Sequence, residues 1–144
     1  DSTWHRMGDV GYLDPTGRLW FCGRKNHRVE TEHETLFSVP CEAIFNQHPD
    51  VRRSALVGLG DRPRQQPLII IECQPGSSPG DRLVEELKRL AEQNSLTDSI
   101  QLVLFHAGFP VDIRHNVKIN REELALWAAG EMAAGTQRSA ATPR

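Results

Sequence analysis

No glycine-rich phosphate loop of the G-x-x-x-x-G-K-[ST] kind occurs in this chain, so any nucleotide it handles is held by some other device. Metal-type spacings are missing as well. The six histidines (His5, His27, His33, His48, His106 and His115) form no H-x-x-x-H or H-E-x-x-H pattern, and Cys22, Cys41 and Cys73 contain no C-x-x-C. Neither a catalytic metal nor a structural zinc is expected, and an odd cysteine count gives no disulfide framework. A reducing cytoplasm suits such thiols. Long apolar runs are absent: the longest, Pro67 to Ile71, is far short of a transmembrane segment, and the polar amino terminus does not resemble a signal peptide. Nor does one charge dominate. A formal net charge of −2 and a pI near 6.3 give no electrostatic reason to expect nucleic acid or an anionic membrane as partner, and the Arg52-Arg53 and Arg62/Arg64 pairs read as solvated surface.

What is present is enough for one modest core: 144 residues, 38% of them hydrophobic, with no internal repeat. Val10, Tyr12 and Leu13 run into a turn at Asp14-Pro15-Thr16-Gly17, and Leu19 to Cys22 return from it, which predicts a hairpin that needs a larger sheet to lean on. Arg24 to Glu34 is polar without periodicity, as expected of a joint between two units. A short helix is predicted around Pro40 to Phe45, with Pro40 in its first turn and His48-Pro49 ending it. Ser54 to Leu59 and Leu68 to Cys73 read as antiparallel strands separated by Gly60-Asp61-Arg62-Pro63. Leu83, Val84, Leu87, Leu90 and Ala91 have the spacing of an amphipathic helix over Asp81 to Asn94, capped by Asp81. A strand at Gln101 to Phe105 follows. Asn120 with Glu123 forms a relative of the capping box for a helix reaching Ala129, beyond which the Ala, Gly, Ser and Thr content predicts a disordered tail. The expected fold is α+β: a small antiparallel three-stranded sheet flanked by helices and preceded by a hairpin.

Three side chains carry chemistry. Asp9 follows Gly8, where the backbone can approach a ligand, and a carboxylate there can accept hydrogen bonds from two vicinal hydroxyls. Arg24 follows Gly23 at the far end of the hairpin, which returns the chain close to its start and brings both side chains within reach of one ligand. Lys118, in Arg114-His115-Asn116-Val117-Lys118-Ile119, has apolar neighbours that can anchor the backbone while the flexible stem delivers a point charge to a carboxyl–phosphate centre. His115 beside it could orient substrate or act as a base, or simply make a local hydrogen bond. Trp20, Phe45 and Trp127 read as core or domain-contact residues.

The order of these signals carries a resemblance. Trp4-His5-Arg6-Met7-Gly8-Asp9-Val10-Gly11-Tyr12 through Gly23-Arg24-Lys25-Asn26 resembles the [YW]-x-x-[TM]-G-D…G-R-x-[DK] stretch of the AMP-forming acyl-CoA synthetase, luciferase and adenylation-domain superfamily. The likeness continues through Pro40-Cys41-Glu42-Ala43-Ile44-Phe45 and His48-Pro49-Asp50-Val51 to the lysine segment. It implies that Asp9 binds the ribose hydroxyls of ATP, that Arg24 contacts ribose or phosphate, and that Lys118 stabilises the adenylation transition state. Asn26 falls at the hinge about which the small carboxy-terminal domain rotates between half-reactions. Residues 1–25 would then close a large amino-terminal adenylation domain absent from this chain, 26–129 would form the small domain, and 130–144 the tail. The first residue, Asp1, fits a processed or truncated chain, inactive alone.

Two positions depart from that pattern. The I-K-x-x-G that follows the hinge becomes Val29-Glu30-Thr31-Glu32-His33, so a lysine is replaced by Glu30 and a glycine by His33. Where the glycine lets a pantetheine arm pass close to the backbone, a histidine should obstruct it. The wording of the motifs is similar to the olefin-biosynthesis branch, whose members adenylate a β-hydroxy acid and close it to a β-lactone without CoA. The resemblance thus implies an enzyme using ATP with Mg2+, the metal having no ligand in this chain, on a fatty or β-hydroxy fatty acid. A long-chain fatty acid–CoA ligase and an inactive fragment or interaction module are the alternatives.

Overall fold

The computed structural model describes residues 8–112, 114 and 118–140, with side chains to 111, at 114 and over 118–135. Strands β1 (Asp9–Leu13) and β2 (Leu19–Arg24) pair antiparallel, with Asp9 opposite Arg24. Asp14 gathers their turn: its Oδ1 accepts the Thr16 and Arg18 N–H groups at 2.9 Å each, while Gly17 adopts a φ of +86° that suits glycine. A 3₁₀ turn, Lys25–His27, leads to a hairpin of two-residue strands, β3 (Val29–Glu30) and β4 (Thr35–Leu36), and then to α1 (Ser38–Phe45). Pro40 lies in the first turn of α1, where its missing N–H is harmless.

The main sheet has the order β5-β6-β7, from β5 (Val51–Leu59), β6 (Gln66–Cys73) and β7 (Leu102–Phe105), with α2 (Asp81–Glu92) between the last two. β5 and β6 are antiparallel, as expected. β7 runs parallel to β6, so the sheet is mixed and not wholly antiparallel. The cause is the connection: a chain that passes through a helix returns to the same end of the sheet, whereas a short hairpin would reverse it. Gly80 caps α2 and Asp81 is its first residue, so the expected Asp81 cap is shifted by one, leaving an acid in the first turn where the helix dipole favours it.

β6 is covered on both faces, which explains its unbroken apolar run. Ile69 and Ile71 pack with Phe45 of α1 and Leu83, Leu87 and Ala91 of α2; Leu68 and Ile70 pack with Phe109 and with Leu124 and Ala128 of α3. After β7, β8 (Val111–Asp112) and β9 (Lys118–Ile119) form a short antiparallel ladder, and α3 (Arg121–Ala140) closes the second face. The helix runs eleven residues past the expected end at Ala129. Alanine is the strongest helix former, and the Ala-rich stretch from Ala128 offsets Gly130 and Gly135, while Met132 still packs against the core. No helix among the described residues is long and apolar enough to cross a membrane.

Candidate functional site

The β1–β2 register brings Asp9 and Arg24 face to face: Arg24 Nη1 donates to Asp9 Oδ1 at 3.2 Å, with both side chains around two-fifths exposed. An exposed pair of this kind contributes at most about 1 kcal/mol, so a ligand that donates to the carboxylate and accepts from the guanidinium can replace it at little cost. Gly23 is required just before the arginine. Its φ is +123°, and a Cβ there would run into Ser38 Oγ at the start of α1.

Beyond Arg24 the 3₁₀ turn is held from both sides. The Lys25 N–H donates to the Gly8 carbonyl at 2.6 Å, tying the turn to the hairpin. Arg62, from the loop after β5, donates from Nη2 to the carbonyls of Asn26 at 2.6 Å and Arg28 at 3.0 Å, tying it to the sheet. Arg24, Asn26, His27, Lys118, Asn120 and Glu122 surround a cleft of about 320 Å³. A larger cleft of about 510 Å³ adjoins it through Asn26, His27 and Glu122, and reaches Arg121 and the loop of Arg62.

Lys118 is exposed and lies on β9, a short strand where a loop was expected. Its alternation with Ile119 explains its direction: Ile119 packs on the sheet core, so its neighbour points the other way. One residue later Asn120 caps α3. Its Oδ1 accepts the Glu123 N–H at 3.1 Å, and its Nδ2 donates to Glu123 Oε2 at 3.3 Å, a reciprocal arrangement akin to the capping box. Residues Trp4 to Met7 of the first motif, and His115, Asn116 and Val117 of the last, lie outside the described residues.

Three features of the site had no local signal in the sequence. His27 lines both clefts, and its pKa is lowered by burial and by the charges of Arg121, Arg24 and Lys118, against an opposing effect of Glu122. Arg62 reaches the 3₁₀ turn from 36 residues away. Glu42 on α1 takes an ion pair from Arg121, 79 residues distant, and burial raises its carboxyl pKa despite that partner. The departures from the family pattern are also placed. Glu30 accepts from Arg28 Nε at 2.6 Å, and His33 is exposed in the connection between β3 and β4.

Among the described residues, His48, Asp50 and Glu86 are the one group of His and acidic side chains close enough to share a metal ion. Each already has hydrogen-bond partners, the Asp50 carboxylate accepting from Ser77 Oγ at 3.0 Å. His48 Nε2 meets Glu86 Oε2 at 2.8 Å, His48 Nδ1 accepts the Asp50 N–H at 3.1 Å, and Arg82 Nε donates to Glu86 at 3.0 Å. An ion would have to displace these bonds.

No protein-family model matches the chain. An olefin beta-lactone synthetase of Xanthomonas campestris pv. campestris is 54% identical over 127 residues, covering 87% of this chain and 23% of that protein. A protein of the same name from Stenotrophomonas maltophilia is 48% identical over 128 residues, covering 89% of this chain and 23% of its own length. The chain therefore spans about a quarter of the curated relatives it matches. In three dimensions it superposes on the anthranilate CoA ligase AuaEII in complex with anthranoyl-AMP with a TM-score of 0.76, at 24% identity, over 88% of this chain and 25% of that one, which establishes a shared fold.

Proposed function

We propose that this chain, which belongs to the AMP-forming acyl-adenylate synthetases and matches their carboxy-terminal domain, completes the adenylation centre of a β-lactone-forming enzyme. The observation that carries this reading is that Arg24 and Lys118, from opposite ends of the chain, line one cleft beside the hinge residue Asn26. Residues 1–25 would close the large adenylation domain and those from Asn26 onward would form the domain that swings. Asp9 would accept hydrogen bonds from the ribose hydroxyls of ATP, and Arg24 would bind ribose or phosphate. Lys118 would meet the negative charge that develops at the α-phosphate as a fatty or β-hydroxy fatty carboxylate attacks it, releasing pyrophosphate.

In the second step the substrate's own β-hydroxyl oxygen attacks the acyl carbon, loses its proton, and expels AMP as the ring closes. No CoA enters. His33 supports this version, because an exposed side chain stands between β3 and β4 where the family pattern has a glycine that lets a pantetheine arm pass. Magnesium would accompany ATP, and this chain offers it no assigned ligand. The reading places the enzyme in the cytoplasm, in keeping with three free thiols at Cys22, Cys41 and Cys73.

The test is mass spectrometry of the products made by the full-length protein, wild type and Lys118→Ala, from ATP, magnesium and a β-hydroxy fatty acid, with and without CoA. A lactone formed without CoA and reduced about 10²- to 10³-fold in the variant is expected, the loss typical of removing one preorganised electrostatic contact to a transition state. A CoA-dependent thioester would move the protein to the fatty acid–CoA ligases. Absence of any product would reject the enzymatic reading and leave an interaction module.

A further inference from the structure

Lys118 has little to hold it in place. It is exposed, and its strand pairs with β8 over two residues only, too short a ladder to define a position by itself. Three residues further on, Arg121 opens α3 and turns its guanidinium inward, where Nη2 donates to Glu42 Oε1. Glu42 is 7% exposed, and its other oxygen accepts the Leu56 N–H of β5 at 2.9 Å. One carboxylate thus joins the middle of α1, the interior of β5 and the first turn of α3. At a maximum reach of roughly 3.3–3.6 Å per residue, the Lys118 backbone lies within about 11 Å of the Arg121 backbone that this junction anchors.

From this geometry we infer that Glu42 and Arg121 are positioning residues that set where Lys118 presents its ammonium. This rests on the assignment of Lys118 to the adenylation step. Apolar packing alone would let the first turn of α3 slide or rotate, whereas a directed bond to a carboxylate itself fixed by β5 allows one setting. Buried ion pairs gain little stability over apolar residues of the same volume, so what this pair adds is a constraint on geometry. The sequence hides the pair because its members lie on different elements, 79 residues apart.

The test is a double-mutant cycle in the full-length protein. Arg121→Met, Glu42→Gln and Arg121→Lys are each made alone and with Lys118→Ala. Pyrophosphate release from ATP and a β-hydroxy fatty acid is measured with its KM for ATP, alongside lactone formation from a chemically supplied acyl-adenylate. We expect Arg121→Met to lower kcat for pyrophosphate release roughly 10- to 100-fold, the scale of a misplaced reactive group. The KM for ATP and the conversion of supplied adenylate should stay within about twofold, and Arg121→Lys should recover part of the loss. In the Lys118→Ala background the same substitution should cost nothing further, because the pair acts through the lysine. Equal losses in both backgrounds, or equal losses in both half-reactions, would overturn the inference. Glu42→Gln, which preserves shape and the Leu56 contact, serves in the same cycle should Arg121→Met fail to fold. If Lys118→Ala itself left pyrophosphate release intact, the adenylation assignment would fall; if only the Glu42 and Arg121 variants were silent, the inference alone would fall.

Discussion

The β1–β2 hairpin and the β5–β7 sheet are built from similar apolar residues and bury them very differently. Leu68, Ile69, Ile70 and Ile71 of β6 are 0% exposed, whereas Leu13 and Leu19 of the hairpin are 69% and 74% exposed, with Tyr12, Trp20 and Phe21 about half exposed. The sheet has a helical layer on each face. The hairpin has its own internal ties, a Tyr12–Trp20 stack at 6.5 Å and a Trp20 Nε1 bond to Asp14 at 2.9 Å, and most of its apolar side chains are left uncovered by the described residues. Exposed apolar side chains gathered on one short hairpin suit a surface that meets a partner. One region is the interior of its own domain, and the other presents the apolar face on which the large domain proposed above would pack.

That contrast can be broken by substitution. The largest effect is expected at Phe45, fully buried at the end of α1, where Phe45→Ala should cost about 3–5 kcal/mol in urea or guanidinium unfolding. Leu19→Ser should change the stability of this chain by less than about 0.5 kcal/mol, as surface substitutions do. In the full-length protein the same change should cost about 1.5–3 kcal/mol, the value of a leucine that becomes buried, and equal costs in the two forms would show that nothing packs on the hairpin. The smallest effect concerns pH. His27 is held below its ordinary pKa of 6.5 by burial and by nearby Arg121, Arg24 and Lys118, with Glu122 opposing. Its neutral form is therefore the one the fold favours. The associated stability is complete above pH 6.5 and is lost as pH falls through the lowered folded value. His27→Gln should flatten the stability curve below pH 6.5, and an unchanged slope there would assign the acid sensitivity to another group.

Much of the fold was legible where periodicity is strong. Leu83, Leu87 and Ala91 face the core at successive turns of α2, and the isoleucine run of β6 is buried as a run should be. Strand direction was not, because side-chain alternation is the same in parallel and antiparallel pairs; only the helical connection between β6 and β7 encodes it. The end of α3 was misjudged because the Ala-rich stretch lacks an apolar stripe, although its intrinsic propensity is high. At the site, Asp9, Arg24 and Lys118 stand in recognisable local motifs. Glu42, Arg62 and His27 do not, since what gives them a role is a contact or a neighbouring charge supplied by a remote segment.

The grip of Arg62 on the Asn26 and Arg28 carbonyls, set against the tie of the Lys25 amide to Gly8, has a mechanical meaning. Between the last atom fastened to the hairpin and the first fastened to the sheet lie only the soft backbone dihedrals of Lys25 and Asn26. The chain there is a universal joint with a collar on each side. Turning everything beyond it through a large angle would unpair no strand, but it would break the Arg28 bonds to the Lys25 carbonyl and part β2 from α1, where Gly23 abuts Ser38 and Cys22 is buried. If the proposed swing occurs here, its cost lies in that β2–α1 contact and in the surfaces that each orientation brings together.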